Sequence, residues 1–320
     1  MPANIPCLPG IAVPKHLVHK RAPGEVFLTG WRTRPDAAVV ITAQWPRTHS
    51  FYRPVHGRYD SLLFAETLRQ TLPLLSHQVF GVPLGHQLIW GDLSFSVSTE
   101  AMQLADQPQD VTLSLTFGDV VRRRDSLTVG CVSMTAVAHG TTIGHARTRF
   151  SAHSPGVYQR LRAGRADLAT ARANALHPGP GLLPASVGRH LAQDVVLSPT
   201  QSPTQHARTW RLRADLDHPI LFDHPVDHAP GMLLLEAARQ ATVCGHPAGN
   251  AAVTDMTTRF HRYVELDRPA WVRLAPGDNN VFHVRVDQDE RTCFEAEVAA
   301  AAPLPSALPD DRERLPAVPC

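Results

Sequence analysis

The chain has 320 residues, enough for two ordinary domains, and its 43% apolar and 19% charged content describes a folded globular protein rather than a disordered one. A formal net charge of +2, spread out apart from short runs such as Arg122-Arg123-Arg124, is too weakly basic for nucleic-acid binding but would not repel an acidic carrier protein or a phosphorylated substrate. The five cysteines (Cys7, Cys131, Cys244, Cys293 and Cys320) are scattered and contain no C-x-x-C pair, so neither a disulfide framework nor a zinc ribbon fits them.

The first twenty residues lack an apolar segment behind a basic tip, and no later window reaches the ~20 apolar residues of a membrane span, so a cytoplasmic protein without a membrane partner is expected. "EVFLTGW" and "AVVITAQ" have the β-branched content of strands. Asp60 or Ser61 can cap a helix running to about Val79, with a kink expected at Pro73. "HQLIWGDLSFSV", "DVTLSLTFGDVV", "LTVGCVSMTAVAH" and "TTIGHARTRFS" follow as strands. "GVYQRLRAGRADLATARANA" suits a short connecting helix, and "LHPGPGLLPASVGRH" with "SPTQSPTQ" has linker composition. "ARTWRLRAD" then leads to a second helix, followed by the strand-like "TTRFHRYVEL", "AWVRLAP", "VFHVRVDQ" and "TCFEAEVAAA".

The two halves repeat. "LLFAETLRQTLPLLSH" aligns with "MLLLEAARQATVCGH", placing Glu66 on Glu236, Arg69 on Arg239 and Gln70 on Gln240. One helix, apolar on nearly every side, per set of antiparallel strands is an α+β plan in which the sheet must wrap the helix. The expected architecture is a tandem hot-dog, an internal pseudo-dimer with two antiparallel sheets, each wrapping one long central helix. Its expected limits are 1–155 for the first unit, 156–205 for the connecting helix and linker, 206–302 for the second unit and 303–320 for a loose tail.

The chemistry concentrates in "LFDHPVDHAPGMLLLEAARQA". Apolar neighbours shield Glu236, and burial tends to raise a carboxyl pKa toward the range useful for proton transfer. Arg239 and Gln240, three and four residues on, share its face. A network that merely orients two helices would also explain these three residues. Pro230-Gly231 leaves free N–H groups, those of Gly231 and Met232 among them, at the helix start, where they can serve an oxyanion. His224 and His228 lie just upstream as candidate bases, with His224, beside Pro225, favoured over His228. His218, Asp223, His224, Asp227 and His228 resemble a metal cluster only superficially, because the intervening prolines deny them a helical face, and no metal or other cofactor is expected. In the first half His56 precedes Glu66, Arg69 and Gln70, a polar set able to make a second site or to serve the first across a helix seam.

"FDHPVDHAPGMLLLEAARQA", together with "VHKRAPGEVFLTGW" and "LLFAETLRQTLPLLSHQVFGVPLGHQ", resembles the A-factor biosynthesis (AfsA-type) family over most of residues 17–300. More distantly, "PGMLLLEA" resembles the helix start of β-hydroxyacyl-carrier-protein dehydratases. The AfsA resemblance implies tandem hot-dog domains and transfer of a β-ketoacyl group from acyl carrier protein to the hydroxyl of dihydroxyacetone phosphate, the first step toward γ-butyrolactone autoregulators. On that reading Glu236 or its histidine partner takes the hydroxyl proton, the helix start at Gly231 holds the oxyanion, and Arg239 or Arg69 receives the phosphate. Two alternatives remain: a thioesterase or dehydratase acting on acyl carriers, and a non-catalytic acyl- or butyrolactone-binding regulator. Whether two chains form a homodimer is left open.

Overall fold

The computed structural model describes residues 12–35, 38–123, 126–200, 208–249 and 251–302. The tail expected at 303–320 and the end of the linker, 201–205, lie outside them. The first half runs β1 (Leu28–Thr33), β2 (Val39–Trp45), α1 (Ser61–Gln78), β3 (Gln87–Val97), β4 (Gln109–Arg123), β5 (Ser126–Ala138) and β6 (Thr141–His153). The short helices α2 (Pro155–Leu161) and α3 (Leu168–Ala173) follow. The second half runs β7 (Leu197–Ser198), β8 (Arg208–Leu212), α4 (Gly231–Gly245), β9 (Ala252–Phe260), β10 (Trp271–Pro276), β11 (Val281–Gln288) and β12 (Arg291–Ala301).

Local signals account for the two long helices. The Asp60 side chain accepts from Leu62 N at 2.8 Å and caps α1, which continues unbroken through Pro73. At α4 the N-cap is Pro230, whose carbonyl accepts from Leu233 N at 3.0 Å with no side-chain cap. Both helices are buried almost all round, α1 from Ser61 to Ser76 except Arg69, and α4 from Met232 to Val243. Each large apolar side chain so buried contributes about 1.5–3 kcal/mol.

The described strands form one antiparallel sheet of twelve in the order β1-β2-β4-β5-β6-β3-β9-β12-β11-β10-β8-β7. The expectation of two sheets is corrected here: β3 and β9 hydrogen-bond directly, Asp92 opposite Arg259 and Phe95 opposite Met256, so the halves share one continuous sheet. Thr258 Oγ1 donates to Leu93 O at 2.9 Å across that seam. Either half alone would expose an unpaired strand edge there, and mutual pairing removes it.

The segment read from composition as connector and linker is ordered structure. The expected connecting helix is two short helices, α2 and α3, separated by Gly164 at φ +87°. Two single 3-10 turns, Pro184–Val187 and Ala192–Asp194, precede β7 and belong to the packing around α4, with Val187, Val195 and Val196 all buried. They correspond to the turns Lys15–Val18 and Pro23–Glu25 before β1.

At the start of α4 the ring of Trp90 lies so close to Gly231 that an added Cβ would sit 2.6 Å from it. Gly231→Ala is therefore expected to destabilise the protein by about 1–3 kcal/mol through overpacking. Urea denaturation measures this, and unchanged stability would show that the ring is not wedged there.

Candidate functional site: a doubled carboxylate–arginine network beside one cavity

Because residues three and four positions apart share a helix face, Glu236, Arg239 and Gln240 meet within α4. Arg239 grips both carboxylate oxygens, Nε to Oε2 at 2.9 Å and Nη2 to Oε1 at 2.8 Å. Gln240 Nε2 donates to Oε1 at 2.5 Å. Arg189, from the segment before β7, makes a second fork, Nε to Oε1 at 2.8 Å and Nη2 to Oε2 at 2.5 Å. The remaining amide capacity of Gln240 is used on backbone, its Oε1 accepting from Val196 N at 2.9 Å and its Nε2 donating to Asp194 O at 2.7 Å.

The same pattern recurs on α1. Arg69 donates to both oxygens of Glu66 at 2.9 Å, and Gln70 Nε2 donates to Oε1 at 2.9 Å. Gln70 also accepts from Phe27 N at 2.9 Å and donates to Glu25 O at 2.7 Å. Lys20 Nζ, 3.0 Å from Glu66 Oε1, stands where Arg189 stands in the second half.

These contacts decide the charge state. Burial alone would raise the Glu236 pKa, but the charges of Arg189 and Arg239 outweigh it and hold the carboxyl at about 2. Glu66 is likewise held at about 2, burial being overcome by Arg69 and Lys20. The expectation that burial lifts Glu236 toward the proton-transfer range is thus corrected, because two guanidinium forks supply the counter-charge that burial alone lacks. Glu236 is a fixed anion that orients Arg239.

Arg189 also reaches across to the first half. Its Nη1 donates to Asp60 Oδ2 at 2.9 Å and to Phe51 O at 2.7 Å, and its guanidinium lies 4.2 Å from the centroid of the Phe51 ring. Asp60 thus caps α1 with one oxygen and receives Arg189 on the other. Beside this link lies a cavity of about 320 Å³. His56, Arg58, Asp60 and Ser61 line it from the approach to α1, and Gly188, Arg239 and Val243 from the second half. Arg239 spends Nε and Nη2 on Glu236 and, through Nη2, on Val187 O at 3.0 Å. Its Nη1 lies toward Gly188, 3.3 Å from where a Cβ on that residue would be, and both residues line the cavity.

The family model of the A-factor biosynthesis hotdog domain matches residues 9–154 and 181–304. The chain belongs to this family. It is 45% identical over 288 residues to a protein of Streptomyces virginiae named 2-oxo-3-(phosphooxy)propyl 3-oxoalkanoate synthase, covering 88% of this chain and 95% of that protein. A relative of the same name from Streptomyces coelicolor is 36% identical over 83% of each chain. An acyl-ACP thioesterase structure from Bacteroides thetaiotaomicron superposes with a TM-score of 0.50 at 12% identity, over 82% of this chain and 98% of that one. That likeness is one of fold, and with the large antiparallel sheet it makes this AfsA-family chain an α+β hotdog protein.

In this AfsA-family chain the two related networks have different surroundings. Gly188, at φ +65°, occupies the turn beside Arg239, whereas His19, at φ +52°, occupies the corresponding turn beside Arg69. The His19 ring meets His77, with Nε2 atoms 2.9 Å apart. Burial first, then the charges of His77, Arg69 and His224, hold its pKa down at about 3, so it is neutral. Gly231 does not line the 320 Å³ cavity, and Trp90 covers it, stacked 5.4 Å from Phe260.

None of the histidines before α4 contacts Glu236, although His218 borders its network through Asp194 and Phe51. His228 bonds Asp227 at 2.6 Å, and Asp227 also accepts from Tyr158 O–H at 2.7 Å and Arg162 Nε at 2.9 Å. His224 Nδ1 is 3.8 Å from Asp223, and its side chain is 45% exposed. His218 receives the amides of Ile220 and Leu221 and pairs with Asp194 at 3.2 Å. Among the described residues no group of three or more His, Cys, Asp or Glu is arranged to hold a metal ion. The structure therefore unites Glu236, Arg239 and Gln240, unites Glu66, Arg69 and Gln70 separately, and places His56, rather than His224, His228 or Gly231, at the cavity.

Sequence reasoning missed Asp60 as a partner, and it missed Arg189, Gly188 and Lys20 entirely. A signal existed: "VHKRAPGEVFL" and "VGRHLAQDVVL" extend the repeat upstream, placing His19 on Gly188, Lys20 on Arg189 and Glu25 on Asp194.

Glu236→Gln leaves Arg239 without its anion and Arg189 with Asp60 alone, and is expected to cost about 3–5 kcal/mol near neutral pH. The folded value of Glu236, about 2, lies below its ordinary 4.5. Its contribution is therefore complete above pH 4.5 and is lost as pH falls toward 2. Urea denaturation across that range should show the gap between wild type and variant closing with acidification; a constant gap would contradict the network's charge state.

Proposed function

We propose that this chain is a 2-oxo-3-(phosphooxy)propyl 3-oxoalkanoate synthase, an acyltransferase that esterifies dihydroxyacetone phosphate with a 3-oxoacyl group. The observation that carries the reading is the 45% identity, over 88% of the chain, to a relative bearing that name. The cavity beside Arg239 suits both halves of the product, because it combines guanidinium groups with apolar walls.

In the reaction the hydroxyl oxygen of dihydroxyacetone phosphate attacks the thioester carbonyl carbon, a C–O bond forms, and the C–S bond breaks. The hydroxyl proton ends on the departing thiol. His56, at the cavity wall with no side-chain partner among the described contacts, takes the proton as general base. Arg239 offers Nη1 to the developing oxyanion, held in place by Glu236 and Val187. Arg58, steadied by Thr99 O at 3.1 Å, meets the phosphate. In this assignment Glu236 and Arg189 are positioning residues, and Arg69 serves the Glu66 network instead of the phosphate. The donor is delivered by an acyl carrier protein in the cytoplasm, and the enzyme uses no metal or cofactor.

The two halves are read as tandem hot-dog units forming an internal pseudo-dimer, approximately 12–153 and 181–302, supported by the recurrence of each Glu–Arg–Gln contact. One reaction cavity per chain is proposed, since His19 occupies the turn where the second half has Gly188.

Purified protein with a 3-oxoacyl carrier protein and dihydroxyacetone phosphate should yield the phosphorylated ester by mass spectrometry. Release of free 3-oxo acid alone would make it a thioesterase, and binding without turnover a regulator. Arg239→Lys is expected to lower kcat/KM by about 10²-fold or more, as for loss of an oriented donor. Gly188→Ala should also lower it, because the new Cβ crowds Nη1 at a φ of +65°. Wild-type kinetics in both variants would move the reaction away from this cavity.

A further inference from the structure

The cavity beside Arg239 has a second wall, built from the ends of three neighbouring strands. Each strand changes in side-chain size along its length. β3 carries Trp90 near one end and Val97 at the other, and β9 runs from Phe260 back to Val253. β12 runs from Phe294 to Ala300, which pairs with Val253. At the α4 end the aromatic rings pack together, Trp90 on Phe260 at 5.4 Å and Phe260 on Phe294 at 5.1 Å. At the α1 end the positions are aliphatic and small, and the cavity occupies that end.

A register shift in β9 exposes this wall to the cavity. Ala299 pairs with Asp255 but Ala300 pairs with Val253, so Thr254 is an extra residue, a β-bulge. Above the bulge the buried positions of β9 are Met256 and Thr258, whereas below it they are Val253 and, just before the strand, Ala251, at 5% and 8% exposure. The bulge therefore switches the inward-facing set by one residue and aims two small side chains at the space that also meets Val97 of β3 and Val243 of α4.

We propose that Ala251 and Val253 form the wall against which the acyl chain ends, and that their size sets which chain length this enzyme transfers. The proposal rests on the acyltransferase reading above. It divides the cavity by chemistry: Arg58 and Arg239 face the phosphate and carbonyl, and the β3–β9 wall with Val243 holds the aliphatic tail. Each methylene buried against that wall adds to binding, so chain length is measured by how many methylenes fit before the wall is met.

The test uses Ala251→Leu, which shortens the space, and Val253→Ala, which lengthens it. With 3-oxoacyl carrier-protein donors of graded length, Ala251→Leu should lower kcat/KM for the longest donors relative to the shortest by about tenfold or more, as expected for misfit in an apolar pocket. Val253→Ala should move the preference toward longer donors. An unchanged length profile in both variants, or a uniform loss across all donors, overturns the proposal. The same proteins are titrated with saturated fatty acids of graded length by displacement of a fluorescent fatty acid, which reads the cavity without turnover. If wild type forms no ester with any donor, the acyltransferase reading falls and the fatty-acid series still decides: opposite shifts in preferred length uphold the wall, and identical preferences overturn it. Should Ala251→Leu fail to fold, Val253→Ala, which only removes atoms, gives the answer by itself.

Discussion

Much of the molecule depends on the buried carboxylate of Glu236 and the two guanidinium groups that hold it. A carboxylate at 0% exposure is costly unless its charge is compensated, and here five donor contacts from Arg189, Arg239 and Gln240 compensate it. The arrangement also joins the halves, because Arg189 continues to Asp60, the cap of the opposite helix. Removing one member would disturb a charge balance, a helix cap and the wall of the cavity at once.

Fixed charge has a direct chemical consequence. With its pKa held at about 2 by the adjacent arginines, Glu236 rests as a carboxylate near neutrality and holds both nitrogens of the Arg239 fork. Two of the three guanidinium nitrogens of Arg239 bond Glu236 and Val187 O, and the third, Nη1, lies beside Gly188, a residue that also lines the cavity. A donor oriented before the substrate arrives requires no reorganisation during reaction, which is where electrostatic catalysis draws its advantage.

The near-repeat of this network on α1 shows how little is needed to make two related places unequal. Backbone and polar contacts match closely, yet a histidine replaces a glycine beside the first arginine, and aromatic side chains gather at the α4 end of the shared strands. These differences involve both side-chain volume and hydrogen bonding, since His19 also bonds His77 and Lys20 makes one contact to Glu66 where Arg189 makes a fork to Glu236 and reaches Asp60. The Asp227–Arg162–Tyr158 cluster adds a further asymmetry by tying α2 to the loop before α4, with Arg162 also bridging to both oxygens of Glu265 at 2.8 Å.

Periodicity, capping and repetition within the sequence determined the two all-round apolar helices, most strands and the paired E-x-x-R-Q sets, and the resemblance of its longest motifs pointed to the family. These are local properties: a helix brings positions three and four apart together whatever surrounds it. Only the tertiary structure decided that β3 and β9 join into one sheet, that the segment read as linker delivers Arg189 and Gly188, and that the cavity opens at α1 instead of at Pro230-Gly231. Those outcomes depend on which distant segments share a buried charge and on how much volume their side chains leave unfilled. Neither quantity can be read from one stretch of chain, because each is a sum over neighbours that only the fold selects.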